Sequence, residues 1–163
     1  MKIFDMVLGL GLIAFGGVGF AACGSSATTS QCPGGPECVC ASDSQCACTD
    51  GSACSFDCAA GDCKIECGKE GVCDGACGKD CAATCVEGSE CNIDLGQDGD
   101  IQCLNADCVI AAGHDADVTC QGGTCAITCE SKCDVACKEG AACTLQCAGD
   151  SEPKAIGEEG KCE

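Results

Sequence analysis

Apolar residues recur along most of this chain at the centre of a short motif that begins and ends with cysteine. The motif is Cys-x-Φ-x-Cys, where Φ is usually Val, Ile, Leu or Phe, as at residues 63–67, 125–129 and 143–147. Its three named positions are two residues apart, so on a β-strand their side chains share one face. The alternation therefore predicts short strands that bury cysteine and one central apolar side chain.

These strands recur at a nearly constant interval. When the last named position is taken as the strand end, the ends fall at 40, 48, 58, 67, 77, 85, 95, 103, 112, 120, 129, 137 and 147, and every second end is 17 to 19 residues further on. Self-similarity at this scale is typical of a solenoid. We therefore predict an all-β fold, a small disulfide-stapled β-solenoid of about six coils. Each coil contributes one strand to each of two parallel sheets.

The central positions should form a narrow apolar seam between the two sheets. They are Phe56, Ile65, Gly75, Ala83, Ile93, Ile101, Ile110, Val118, Ile127, Val135 and Leu145. Wide turns form one edge, as at 49–53 and 68–72, and we expect their glycines to supply positive φ. Shorter turns form the other edge, as at 78–80 and 96–98.

Helical and irregular alternatives fit part of the same pattern. The four-residue spacing of cysteines at 125–137 also matches one face of a helix. The 24 glycines and the β-branched strand centres favour strands over helical hairpins. A non-repetitive knot of disulfides is the remaining alternative.

The predicted coil also predicts which cysteines pair, because the end of one strand lies across a turn from the start of the next. The expected bridges are Cys48–Cys54, Cys58–Cys63, Cys67–Cys73, Cys77–Cys81, Cys85–Cys91, Cys103–Cys108, Cys120–Cys125, Cys129–Cys133 and Cys137–Cys143. Two turns lack both members of such a pair: Leu95 faces Gly99, and Ala112 faces Ala116. Matched absences favour pairing across turns over pairing along the sheet.

Six further cysteines complete this set. Cys147 and Cys162 are expected to close the C-terminal end, and Cys32, Cys38, Cys40 and Cys46 to form two bridges whose connectivity is open. Closing a loop of about five residues stabilises a fold by roughly 2 kcal/mol in the chain-entropy account. Disulfides of this density replace a large apolar core, since Phe56 is the only aromatic residue beyond residue 20.

The N-terminus predicts export. Residues 1–22 combine Lys2, an apolar run and small residues before Cys23, which is typical of a signal peptide. The sequence Phe20-Ala21-Ala22-Cys23 resembles the bacterial lipoprotein signal, which implies that Cys23 is lipidated and becomes the new N-terminus. Lipidation of Cys23 would leave 24 of the 25 cysteines, an even number. An ordinary cleaved signal and an uncleaved membrane helix are the alternatives.

This interpretation divides the chain into a signal peptide at 1–22, a lipidated cysteine with a flexible tether at 23–31, and a cysteine-rich repeat domain at 32–163. It implies a protein anchored by lipid to a bacterial membrane, on the periplasmic or cell-surface side. A net charge of −18, with no arginine, argues against nucleic acid as a partner.

Catalysis has little support in the sequence. His114 is the only histidine, and no nucleophile motif accompanies it. Thiolate metal binding, as in a metallothionein, is an alternative use of many cysteines, but export favours their oxidation. We therefore predict no cofactor and no enzymatic activity, and a structural or interaction role at the cell envelope.

An acidic column supplies the competing prediction. Asp43, Asp62, Asp80, Asp98 and Asp115 recur at one per coil on the short-turn edge, and Asp100 and Asp117 double the acids where cysteines are missing. Carboxylates and turn carbonyls are calcium ligands. The period and the Gly/Asp turns look like those of secreted calcium-binding β-rolls, which implies a calcium-type site at Asp98, Asp100, Asp115 and Asp117. The β-roll nonapeptide itself, Gly-Gly-x-Gly-x-Asp, is absent.

Overall fold

The computed structural model describes the chain at residues 30–32, 35–38 and 45–163, with side chains for 45–163. The predicted signal peptide, Cys23, most of the tether, Cys40 and Asp43 lie outside the described residues. The strands are β1 Ser30–Cys32, β2 Gly35–Cys38, β3 Gln45–Cys48, β4 Ala53–Cys58, β5 Lys64–Cys67, β6 Val72–Lys79, β7 Ala82–Cys85, β8 Glu90–Gln97, β9 Asp100–His114, β10 Asp117–Ser131, β11 Asp134–Lys138, β12 Ala142–Cys147, β13 Lys154–Ile156 and β14 Glu159–Lys161.

Two parallel faces build the solenoid. The first face runs through β1, β3, β5, β7, the start of β9, the start of β10 and β11. The second face runs through β2, β4, β6, β8, the later part of β9, the later part of β10 and β12. Each coil thus gives one strand to each face, which confirms the predicted β-solenoid of about six coils.

In the register of the sheets, equivalent residues of consecutive coils lie next to each other. Cys67 pairs in the sheet with Cys48 in the coil before it and with Cys85 in the coil after it. β9 and β10 each continue through the wide-turn edge as 15-residue strands, so one strand serves both faces there. This in-phase stacking follows from the alternation of buried and exposed positions, because a slip of one residue would turn every cysteine outward.

The apolar seam lies where the alternation predicts it. Of the eleven predicted central positions, ten are buried, from Ile101 at 0% exposed to Leu145 at 4%. Gly75 is only half-buried. A Cβ on Gly75 would lie 2.6 Å from the carbonyl oxygen of Phe56, its neighbour in the sheet. The largest side chain of the seam therefore lies beside the smallest.

Ten disulfides staple the described coils. They join Cys48–Cys54, Cys58–Cys63, Cys67–Cys73, Cys77–Cys81, Cys85–Cys91, Cys103–Cys108, Cys120–Cys125, Cys129–Cys133, Cys137–Cys143 and Cys147–Cys162, with Cα–Cα distances of 5.5 to 6.7 Å. Nine of these are the pairs that the cross-turn spacing predicts, and the tenth is the predicted C-terminal closure, Cys147–Cys162. Cys46 is also disulfide-bonded, to a partner outside the residues whose side chains are described.

The wide turns differ from the prediction in one respect. At 68–72 the residue with positive φ is Glu70, at 55°, and neither glycine of that turn is in the left-handed region. A Cβ on Gly68 would lie 2.6 Å from the carbonyl oxygen of Cys48 in the preceding coil. Glycine is required at this position by close stacking of the coils, not by backbone conformation.

Two short antiparallel strands close the C-terminal end. β13 pairs with β12, and β14 pairs with β11, so both edges of the last coil are covered. Open sheet edges invite pairing with another chain, and each of these two strands covers three residues of such an edge. The Cys147–Cys162 bridge fixes this C-terminal segment. The sequence predicts the bridge but not the strands, because three-residue strands carry no alternation.

Candidate functional site

The acidic column on the short-turn edge has a backbone role. Asp62, Asp80, Asp98 and Asp115 all have positive φ, between 52° and 59°. Aspartate and asparagine adopt this left-handed conformation more readily than other residues with side chains. The recurrence of one aspartate per coil is therefore explained by a tight turn that needs a left-handed residue at the same place in each of these coils.

Backbone hydrogen bonds tie each of these aspartates to the following coil. The Asp62 N–H donates to the carbonyl of Lys79 at 2.8 Å, and the Asp98 N–H donates to the carbonyl of His114 at 2.9 Å. Asp80 and Asp115 make the equivalent bonds to Gln97 and Ser131. The turn column thus continues the hydrogen-bond ladder around the edge of the solenoid.

The four aspartates of the predicted cation site lie on two different surfaces. Asp98 and Asp115 are in the turn column, whereas Asp100 and Asp117 are adjacent, exposed residues on the outside of the first face. Asp115 lies 3.6 Å from Lys132 Nζ, an ion pair that partly neutralises it. The calcium-type site stays a prediction.

Within residues 45–163, the side-chain groups with three or more ligand atoms inside 4.8 Å consist entirely of cysteines. Cys67, Cys73 and Cys91 form one such group, and Cys103, Cys120 and Cys125 another. Every cysteine in these groups is in a disulfide. These clusters therefore reflect disulfides stacked one coil apart, and they hold no thiolate.

Apolar side chains occupy the two turns that lack cysteine. Leu95, Ala112 and Ala116 are 1% to 3% exposed, and Gly99 is buried. Leu95 and Ala112 are neighbours in the sheet, between Cys77 and Cys129 in the same row. Hydrophobic packing thus takes the place of two bridges in the middle of the short-turn edge.

A shallow groove lies on the outside of the same region, beside the short-turn edge of the second face. Its volume is about 710 Å³, and its floor is a column of stacked glycines at 78, 96 and 113. A Cβ on Gly96 would overlap the carbonyl oxygen of Gly78, and a Cβ on Gly113 would overlap that of Gly96. Close stacking of the coils therefore excludes side chains and creates the groove.

His114 lies on the rim of this groove. Its Nδ1 contacts Ser131 Oγ, and its Nε2 is 3.5 Å from Glu130 Oε2. All three side chains are on the surface, and His114 and Glu130 are 57% and 71% exposed. The three side chains therefore form a solvent-exposed polar cluster on the rim of the groove.

Exposed ion pairs lie on the wide-turn edge and at the C-terminal segment. The hydrogen bond and charge of Glu87 raise the pKa of Lys69, with the two side chains 2.7 Å apart. Lys161 Nζ lies 2.9 Å from Asp134 Oδ1 and forms an ion pair with it. The hydrogen bond to Asp134 and its charge raise the pKa of Lys161. Pairs this exposed contribute little to stability.

Comparison of the chain with known protein families, with characterised proteins and with solved structures finds no match in any of the three. The described residues contain no helix with the length and apolar character that a membrane crossing requires. Functional inference therefore rests on the sequence and on the geometry of the described surfaces.

Proposed function

We propose that this protein is an exported lipoprotein, anchored at Cys23 to a bacterial membrane, whose solenoid serves as a rigid structural or interaction module of the cell envelope without catalytic activity. The observation that carries this proposal is the set of nine cross-turn disulfides, with Cys147–Cys162 as a tenth bridge, in a chain that starts with a signal-like segment. Disulfides of this density persist in oxidising compartments outside the cytoplasm.

The composition supports a rigid module. Disulfides restrict the unfolded chain, so a thin seam of one apolar side chain per strand suffices where a large core is absent. The extended side surfaces of a solenoid are flat and regular, which suits contact with an extended partner. The sequence between Cys23 and the first strand, rich in Ser, Thr and Gly, would separate this module from the membrane.

The test is metabolic labelling with a palmitate analogue in a bacterium that processes lipoproteins. We expect label on the wild-type chain, none on Cys23→Ala, and unchanged label on the neighbouring control Ser26→Ala. Release of the Cys23→Ala chain from the membrane fraction would complete the result. Labelling that survives Cys23→Ala, or a wild-type chain without label, would contradict the anchor.

A further inference from the structure

The outward surface of the second face carries acidic side chains without any basic one. The outward positions of β4, β6, β8, β9, β10 and β12 on this face, three per strand, are called the second-face surface below. Its acids are Asp57, Asp74, Glu90, Asp94 and Asp107. No lysine occupies any of these positions in the described residues.

These acids are also uncompensated by neighbouring surfaces. The six ion pairs among the described residues involve other acids, on the edges, the first face and the C-terminal segment. On the second-face surface, Asp107 accepts a hydrogen bond from Thr124 Oγ1 at 2.6 Å, and Asp74 accepts one from Asn92 at 3.1 Å. Neutral partners orient these carboxylates and leave their negative charge in place.

Exposed apolar side chains lie on the same surface. Val72 and Val109 are the exposed large hydrophobic residues of the described chain, at 46% and 56%, and both belong to the second-face surface. They flank a shallow depression of about 590 Å³ that also includes Asp74, Glu90 and Asp107. The other residues of the second-face surface are mostly Ala, Ser and Thr, so this surface is flat and a partner can approach it closely.

The dimensions favour a segment over a globular partner. Neighbouring strands of the six coils are about 4.8 Å apart, and the three outward residues of each strand are about 6.6 Å apart. The second-face surface therefore measures roughly 24 by 13 Å. This is well below the roughly 800 Å² per partner of a standard protein interface. A second copy of this chain is a poor occupant, because two molecules with a net charge of −18 repel each other.

We infer that the second-face surface is a docking site for a cationic polypeptide segment that carries apolar side chains between its basic ones. The basic groups complement the five carboxylates, none of which is in the six ion pairs, and the apolar side chains cover Val72 and Val109. Such a contact is electrostatically steered and weakened by salt. A cationic segment of this kind is the partner that the proposed envelope module would recognise, and the inference rests on that proposed function.

The experiment uses the mature protein, exported and solubilised in nonionic detergent, with a short peptide of alternating Lys and Leu as the probe. Fluorescence anisotropy of the labelled peptide is recorded against protein concentration at several salt concentrations. Peptides of alternating Lys and Ser and of alternating Glu and Leu serve as controls. We expect binding of the Lys-Leu peptide that weakens with salt, weaker binding of Lys-Ser, and none of Glu-Leu.

Two matched double variants separate the surfaces. Glu90→Gln with Asp107→Asn neutralises two sheet neighbours on the second-face surface, and Asp100→Asn with Asp117→Asn makes the same charge change on the first face. We expect the second-face variant to weaken binding about five- to tenfold, and the first-face variant to leave it unchanged. Val109→Ser should weaken Lys-Leu binding and leave Lys-Ser binding unchanged.

Several results would overturn the inference. Equal losses from both double variants would show attraction to net charge alone, and an absence of peptide binding would exclude the site. Tight binding of a chitosan oligomer that ignores Val109→Ser would assign the surface to a cationic polysaccharide, and dimerisation through this face would assign it to a second copy. Lipidation of Cys23 does not enter the measurement, so its outcome is independent of the labelling test.

Discussion

The side chain of Leu95 fills the space in which a side chain at residue 99 would lie. A Cβ on Gly99 would be 2.8 Å from Cδ1 of Leu95 and 3.1 Å from its Cδ2. In the neighbouring coils this space holds a disulfide, at Cys77–Cys81 on one side and, beyond Ala112 and Ala116, at Cys129–Cys133 on the other. One large and three small apolar residues thus replace four cysteines.

The first prediction concerns the Ala112 and Ala116 turn. Cysteines at both positions, in Ala112→Cys with Ala116→Cys, should form a bridge, because equally spaced Cys77–Cys81 and Cys129–Cys133 do so at Cα–Cα distances of 6.2 and 6.3 Å. We expect the mass of the unreduced variant to be lower by two hydrogens than that calculated with both new cysteines as thiols. Its free energy of unfolding should exceed that of the wild type by about 2 kcal/mol.

The control for that bridge is Ala111→Cys with Ala116→Cys. Ala111 points out to solvent while Ala116 is buried, so these two cysteines face opposite ways. This pair should keep two free thiols by mass and alkylation. Bridge formation in the control, or free thiols in the Ala112 and Ala116 variant, would contradict the cross-turn geometry.

The second prediction tests the packing of Leu95 against Gly99. Leu95→Ala should destabilise by about 2–5 kcal/mol because it leaves a cavity. Gly99→Ala should destabilise by about 1–3 kcal/mol because its methyl group meets the methyls of Leu95. The double variant should lose less than the sum, since the new methyl enters the new cavity. Guanidinium unfolding without reductant measures all three, and strict additivity would refute the contact.

The third prediction concerns the turn column. Asp98→Val should destabilise by about 1–2 kcal/mol, because φ at this position is 53° and a β-branched residue is strained there. Asp98→Asn should change stability by less than about 0.5 kcal/mol. Asp117→Val, on an exposed strand position, is the matched control and should be close to neutral. Thermal unfolding compares the three, and equal effects of Val at both positions would contradict the backbone role.

The asparagine variants also test the calcium hypothesis. Asn keeps the left-handed turn and removes the charge, so Asp98→Asn with Asp115→Asn separates the two roles. If these aspartates hold calcium, added Ca²⁺ raises the Tm of the wild type and not that of the double variant. A Tm that is insensitive to Ca²⁺ in both proteins leaves the turn role as the account of the column.

The fourth prediction concerns pH and the loop between β12 and β13. The hydrogen bond from Lys154 and the N–H of Cys147 lower the pKa of Asp150, with Lys154 Nζ 2.7 Å away. Because this pKa is lower in the folded state, the stability it provides is present above the ordinary pKa of aspartate, near 4, and is lost as pH falls below it. Asp150→Asn should therefore lower the Tm at pH 7.

As pH falls from 7 towards 2, the Tm difference between this variant and the wild type should shrink, since protonation of Asp150 weakens the two interactions that lower its pKa. Glu152→Gln, in the same loop, removes a carboxylate that takes part in none of the six ion pairs of residues 45–163, and it serves as the charge control. A Tm difference for Asp150→Asn that stays undiminished as pH falls from 7 to 2 would show that the side chain acts through its shape, not its charge.

The coil, its register and its bridges could be predicted because one two-residue alternation controls them all. Burial of Ile101, Val118 and Ile127 follows from that alternation, and so does the partner of each cysteine. The role of the acidic column was harder to predict, since an aspartate per coil suits both cation binding and a left-handed turn. Only the backbone angle at Asp98 shows the second use.

Coil-to-coil contacts and the C-terminal end could not be predicted. The glycines at 78, 96 and 113 recur once per coil, but their role depends on how closely consecutive coils approach, which spacing alone does not specify. The C-terminal segment follows no repeat, and its Gly160 is explained by Ile156 and Leu145, whose Cδ1 and Cδ2 would be 2.7 Å and 3.1 Å from a Cβ there. The charge asymmetry of the second-face surface required knowledge of which outward positions share a face.

A disulfide map of the exported, unreduced protein tests the central claim most directly. Most cross-turn loops contain a protease site, such as Lys69 and Glu70 between Cys67 and Cys73, so cleavage separates peptides that a bridge still joins. The account predicts Cys67 linked to Cys73, the nine other described bridges beside it, and no free thiol in the residues 45–163. A link from Cys67 to Cys48 or Cys85, its neighbours along the sheet, would contradict it.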